Sequence, residues 1–493
     1  MQRLKEFRLA GRTLVLALGA SACGGDAALS IQIVAPRMAE LDPTRDERLT
    51  AMTLVGEERE RVLADEPFGP GDVTATLPDL PLGFRGPLRL DLLDAGRRVL
   101  GLGRATDVHI SLDQSAADRV VRFHVRKPLA YVGSAKSISV LDITRSRSED
   151  FALTPVPLSR VTALGTPRNG RSVLVATDAP AELYTVDTQT HEVSRLMELP
   201  SPVRRIAVDA SDRSALLVHA SGTTLLSLEP GRTPIVTTGI ITSDPGRGTV
   251  AAFARGGDSI FVVGNTGAAY GGTACAALST FQRRSTKRSS PAIDLPFVVS
   301  DIDVHPTTGN PIVASPCRNA VIEIDPETGA ELGLVVDMPG VSEVSVVRNN
   351  IVALGSRTGA SGVQELQAKI WPGDTSVTIP WPKTRFQYRS DDPLTRIIIE
   401  ISPWRAEIRD LAVGPELDRV VMAVRFDYRA TSWCDGATAI SWGHLTVSLT
   451  TGTVVSYVET KRDTVTRSCE ITSGVPPTAE HEPTSVAILF GGS

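Results

Sequence analysis

The phrase RRIAVDASD, residues 204–212, returns as SDIDVHPTTG at 300–309 and RDLAVGPELD at 409–418. A motif recurring at long, near-regular intervals demands a repeat architecture. Seven segments share it: RVTAL (160–164), RRIAV (204–208), TVAAF (249–253), SDIDV (300–304), SEVSV (342–346), RDLAV (409–413) and TSVAI (484–488). Their fifth position is always apolar: Leu164, Val208, Phe253, Val304, Val346, Val413 and Ile488. Their fourth is small, as Ala163, Ala207, Ala252, Ser345, Ala412 and Ala487, with Asp303 as the exception. Successive fifth positions lie 44, 45, 51, 42, 67 and 75 residues apart. Those spacings suit blades of roughly 40–50 residues, with insertions in the last two.

These columns fit the innermost strand of a propeller blade, where apolar side chains pack between blades and those facing the crowded axis must be small. After RRIAVDASD come SALLVHA, GTTLLSLEPG and TPIVTT, and after SDIDVHPTTG come NPIVASP, NAVIEIDPETG and AELGLVVDM. One repeat is therefore a four-stranded meander with Gly-, Asp- and Thr-rich hairpin turns. Residues 129–159 hold only the later strands of a blade, while TSVAILF near the C-terminus supplies an inner strand with nothing after it. Together they complete one blade, so residues 127–493 are expected to form a seven-bladed β-propeller closed by the C-terminal strand.

Residues 130–145, AYVGSAKSISVLDITR, resemble the repeats of YVTN-type seven-bladed propellers, relatives in shape of the NHL and WD40 families. The resemblance implies an architecture rather than a chemistry, because proteins of many functions share it. Quinone-dependent propellers resemble the chain in outline, but their repeated tryptophan motifs are missing.

Residues 24–126 read as a separate unit. LSIQIVAP, DVTATLPDLPLG, PLRLDLLDAGRRVLGLG, DVHISL and RVVRFHV are short runs divided by turn signals, expected to build an immunoglobulin-like β-sandwich. DERLTAMTLVGEERERVLADE is ambiguous between helix and strand. The fold class is thus all-β, a sandwich followed by a propeller.

Residues 1–22 place Arg3, Lys5, Arg8 and Arg12 before an apolar stretch ending in small residues, the order of an export signal. GASACGGD resembles the lipobox of bacterial lipoproteins, with Ala20 where leucine is usual, which implies lipidation at Cys23. No later stretch offers 18 uninterrupted apolar residues, so the lipid is the expected membrane attachment, facing the periplasm or the cell surface. Removing residues 1–22 takes away four basic residues and one acid, shifting the formal charge from −5 to −8. Nucleic acid, which needs clustered basic residues, is not an expected partner. Four cysteines then remain, and in an exported chain they read as disulfides Cys275–Cys317 and Cys434–Cys469, with four unpaired buried thiols as the alternative. Their wide separation does not suit zinc.

Chemistry is sparse. The second column, Val161, Arg205, Val250, Asp301, Glu343, Asp410 and Ser485, should form a ring at one mouth of the channel. Asp301, Glu343 and Asp410 could hold calcium or magnesium there, unless Arg205 merely neutralises them. Some propellers use such a metal to hydrolyse lactones or phosphoesters, so a lactonase-like hydrolase is the alternative function. His305 leads into the PTTG turn and reads as a turn residue; the other histidines form no ligand spacing, and no GxSxG occurs. No residue is assigned a catalytic role. All five tryptophans fall between 371 and 442. Trp371, Trp381 and Trp404, with Phe386 and Tyr388, mark an insertion over 365–408 that either binds a partner or packs onto the propeller. The leading expectation is an envelope-anchored scaffold that binds a protein, peptide or glycan, with an enzymatic role left open.

Overall fold

A computed structural model describes residues 27–489 apart from 58–60, 81–83, 110–119, 146–151, 168–169, 210–211, 220–221, 229–235, 239–249, 255–258, 266–278, 286–292, 359–363, 374, 390–395, 430–437, 466–468 and 472–482. The described chain is all-β, with two short 3₁₀ turns at Ala39–Leu41 and Pro43–Arg45. No helix among the described residues is long and apolar enough to cross a membrane.

The N-terminal strands make two sheets. In one, Ala27–Val34 lies between Thr74–Leu80, antiparallel, and Val120–His124, parallel. The other runs Arg61–Pro67, Leu49–Gly56, Arg85–Asp94, Val99–His109. Period-2 alternation aims Leu29, Ile31 and Ile33 of the first sheet at the same core as Leu54, Leu88, Leu90 and Phe123. Burying each such side chain stabilises the unit by about 1.5–3 kcal/mol. The ambiguous stretch is a hairpin, Leu54 facing Ala64 on one side and Leu90 on the other. A helix would have left the long strand Arg85–Asp94 without that partner.

The seven recurring phrases are the first strands of seven four-stranded sheets. We label these strands β1 (Val161–Gly165), β2 (Val203–Val208), β3 (Val250–Phe253), β4 (Asp301–Val304), β5 (Val341–Val347), β6 (Arg405–Val413) and β7 (Pro483–Ile488). Six sheets continue with the next three strands in sequence; that of β4, for example, adds Pro311–Ser315, Ala320–Ile324 and Glu331–Asp337. β7 instead pairs with Leu129–Ser134, Val486 opposite Val132, and so joins a sheet whose other strands lie at the start of the repeat region. Each first strand touches the next in sequence order, and β7 touches both β6 and β1, so the seven form a closed circuit. Apolar layers fill the gaps between sheets. Ile312 and Ala314 meet Val344 and Ile351, while Val132 and Val486 meet Ala412 and Val421 where the circuit closes.

Turn chemistry explains why the phrase repeats. Asp325 accepts the backbone N–H groups of Glu327 (2.8 Å) and Thr328 (2.7 Å), and Gly329 follows at φ 69°. Gly309 ends the PTTG turn the same way at φ 76°. Both glycines sit in the left-handed region, which a side chain disfavours.

Two sequence expectations shift here. The stretch 365–408 is not one insertion: Gln364–Trp371 and Thr375–Pro380 are the third and fourth strands of the β5 sheet. The added element is a three-stranded sheet of Thr384–Arg389, Arg396–Ile401 and the distant Cys469–Ile471. The first repeat phrase is also out of step by two residues. Leu164 N–H takes the place in its neighbour contact that Val344 and Val486 take in theirs, so Leu164 corresponds to the third column, not the fifth. A slip of two keeps every side chain on its face, which is why alternation could not expose it.

The N-terminal unit meets the repeats through polar contacts. Arg48 donates to the Thr144 carbonyl (2.9 Å), Lys127 bridges the Glu40 carbonyl (2.9 Å) and Asp142 (3.1 Å), and Val99 N–H donates to Glu416 (2.7 Å).

Candidate functional site

Neighbouring first strands share no hydrogen-bonded ladder, since each pairs only within its own sheet. Side chains must therefore connect them, and a carboxylate held against a backbone N–H makes a strong, charge-assisted link. β2, β5, β6 and β7 each carry an irregularity just before the second column. Such a bulge can re-aim the following side chain.

The acids of the second column converge. Asp301, only 2% exposed, accepts from Arg205 through Oδ1 and from Val344 N–H of β5 through Oδ2 (3.0 Å). Two residues on, Asp303 accepts from its own neighbour Val304 N–H (2.7 Å) and from Val346 N–H of β5 (2.6 Å). Asp410 accepts from Leu411 N–H (3.0 Å), and its Oδ2 takes both the Ser485 hydroxyl and Val486 N–H of β7 at 2.7 Å. Ser485 passes the link on by accepting Leu164 N–H of β1 (2.9 Å). β4 is thus tied to β5, β6 to β7, and β7 to β1.

Electrostatics follow from that enclosure. Burial pushes Asp303 up to about 7, with Asp301 adding to the rise and the two N–H donors opposing it. Burial, then the neighbouring charge of Asp301, drives Glu343 well above the usual carboxylate range. Burial raises Asp410 as well, against the donors Val486 and Ser485 and the charge of Arg205. Burial alone would lower Arg205, but Asp301, Asp410 and Glu343 more than offset it and keep the guanidinium charged.

Asp301, Glu343 and Asp410 therefore gather beside Arg205 as the second column predicts, but their oxygens are engaged by backbone N–H groups, a hydroxyl and a guanidinium. Among the described residues no group of three or more His, Cys, Asp or Glu side chains is disposed to hold a metal ion. The arrangement connects strands. Sequence reasoning missed Asp303 and Ser485 as connecting residues, although Asp303 stood out as the charged exception in a column of small side chains. His305 is buried in its turn, where its Nδ1 faces the N–H groups of Thr307 (3.2 Å) and Thr308 (3.3 Å).

The aromatic candidates separate. Trp381 is core, 3% exposed and edge-on to Phe426 at 5.3 Å. Trp371 is half-buried against the His305 ring at 5.1 Å. Trp404 is 56% exposed, just after the added sheet's strand Arg396–Ile401. Phe386 and Tyr388 lie on the strand Thr384–Arg389, but their side chains lie outside the described residues. Among the cysteines, Cys23, Cys275 and Cys434 also lie outside them, as does the side chain of Cys469. Cys317 is in a disulfide, and no disulfide joins two described cysteines.

No family model matches the chain, and no curated protein matches it. Similar solved structures include the nidogen/laminin complex (9% identity, 51% of this chain and 92% of that one, TM-score 0.36). The Cps50 (Swd1) β-propeller domain of Myceliophteria thermophila matches at 10% identity over 62% of this chain and 88% of that one, TM-score 0.39. Hydrazine synthase of Kuenenia stuttgartiensis matches at 10% over 57% and 76%, TM-score 0.37. At such scores the architecture has to be read from the strand pairing itself.

Proposed function

We propose that the chain is an exported, lipid-anchored envelope protein in which an immunoglobulin-like sandwich (24–126) precedes a seven-bladed propeller (127–493), and that it serves as a scaffold binding a protein, peptide or glycan. The propeller reading is supported by seven four-stranded meanders whose first strands form a closed circuit. The sandwich reading is supported by two sheets around one core, with the first strand parallel to the last. The export signal in 1–22, lipidation at Cys23 and the bridges Cys275–Cys317 and Cys434–Cys469 rest on the sequence. Non-reducing peptide mapping checks the bridges, and incorporation of labelled palmitate that is lost in Cys23→Ala checks the anchor.

Binding is carried by one observation: a large aromatic, Trp404, stands 56% exposed in the short connection from the added sheet's strand Arg396–Ile401 to β6. Rigid aromatics of this kind anchor interfaces. A panel of cell-wall glycans and envelope peptides, read by quenching of tryptophan fluorescence, tests it. A ligand whose quenching disappears in Trp404→Ala supports the reading; quenching unchanged in that variant removes Trp404 from the interface. The metal-assisted hydrolase draws no comparable support, since Arg205 stands among the acids that would have to take the ion.

A further inference from the structure

Arg205 lies on β2, yet the carboxylate it grips, Asp301, is on β4, with β3 between them in the circuit. The other two acids that hold its charge, Glu343 on β5 and Asp410 on β6, sit three strands away from β2 in either direction round the circuit, on the far side. One guanidinium thus passes β3 to reach a carboxylate of β4, and the charges of acids on β5 and β6 act on it as well. Asp303 of β4 also feels it. β3 offers Val250 at the matching position and β7 offers Ser485, so no second charge competes from those strands. The side chain of Arg205 is 27% exposed and that of Asp301 only 3%.

We propose that Arg205 is a bolt inside the circuit, a single side chain that ties two non-adjacent strands, β2 and β4, past β3 and so braces the circuit at this level. The ties at Asp303, Asp410 and Ser485 act only between adjacent strands, whereas this one skips a strand. A charged, forked group suits the role, because it can face several carboxylates at once while a lysine ammonium acts as a point charge.

Chemical rescue tests this. Arg205→Ala should unfold several degrees below the wild type, and millimolar guanidinium chloride, far below denaturing levels, should restore much of the loss by occupying the vacated position. Equal concentrations of sodium chloride or urea should restore nothing. Asp301→Asn combined with Arg205→Ala should recover part of the loss, since the buried carboxylate left without its cation is then neutral. Should Arg205→Ala fail to fold, Arg205→Lys serves instead, with a midpoint below that of the wild type expected. An unchanged midpoint in Arg205→Ala, rescue by sodium chloride as good as by guanidinium, or Arg205→Lys as stable as wild type would each overturn the proposal.

Discussion

Two aspartates show how one residue type takes opposite roles in the two halves of the chain. At the seam with the N-terminal unit, burial would raise Asp46, but Arg48 binds it through side chain and backbone and, with Arg145 nearby, holds it down at about 2. In the circuit of first strands, Asp303 has only backbone N–H donors as direct partners, and burial pushes it up to about 7. A cation in contact outweighs burial, whereas N–H dipoles alone do not. Beside the seam Asp46 is half of a conventional ion pair; in the circuit Asp303 ties strands through N–H groups alone, and burial raises it.

Breaking the circuit should therefore cost more than breaking the seam. Asp301→Ala strands the buried Arg205 charge and the Val344 N–H together, and we expect a loss of about 3–5 kcal/mol in urea unfolding. Arg48→Ala removes hydrogen bonds to Asp46 and Thr144 from a side chain 34% exposed, so the expected loss is about 1–3 kcal/mol. A smaller loss for Asp301→Ala than for Arg48→Ala would reverse the comparison. Gly329→Ala, far from both, sharpens it as a backbone control. It forces a side chain into φ 69° with its Cβ 2.6 Å from Ile293 Cγ2, at an expected cost of about 1–2 kcal/mol, read by the same method. Trp404→Ala should change stability by no more than about 0.5 kcal/mol, as for an exposed site, while removing ligand quenching.

Much of the fold is legible in the sequence because it depends on side chains that the sequence displays. The apolar and small columns mark the seven first strands, and Gly-, Asp- and Thr-rich connections such as Asp325 to Gly329 mark hairpin turns. What stays hidden depends on backbone partners that no residue pattern names. The second column brings Asp301, Glu343 and Asp410 together on paper, but only the neighbouring strand's N–H groups, from Val344, Val346 and Val486, decide that these acids tie strands. The two-residue slip at 160–164 is invisible for the same reason, because alternation is unchanged by it. The extra sheet escapes too: Cys469–Ile471 joins Thr384–Arg389 from about eighty residues away, and pairing at that distance leaves no local signal.

The most direct test of the Asp303 tie is the unfolding midpoint across pH, in wild type and Asp303→Asn. A group raised in the folded state stabilises fully below its unfolded value, near 3.8, and loses that contribution as pH rises through about 7. Asp46, lowered to about 2, does the reverse: its contribution is present above 3.8 and lost as pH falls through about 2, so it is silent in this window. Wild type should gain stability relative to Asp303→Asn as pH falls from about 7 toward 4. A difference between the two that stays constant, or widens as pH rises, would contradict the reading of Asp303 as a buried tie raised to about 7.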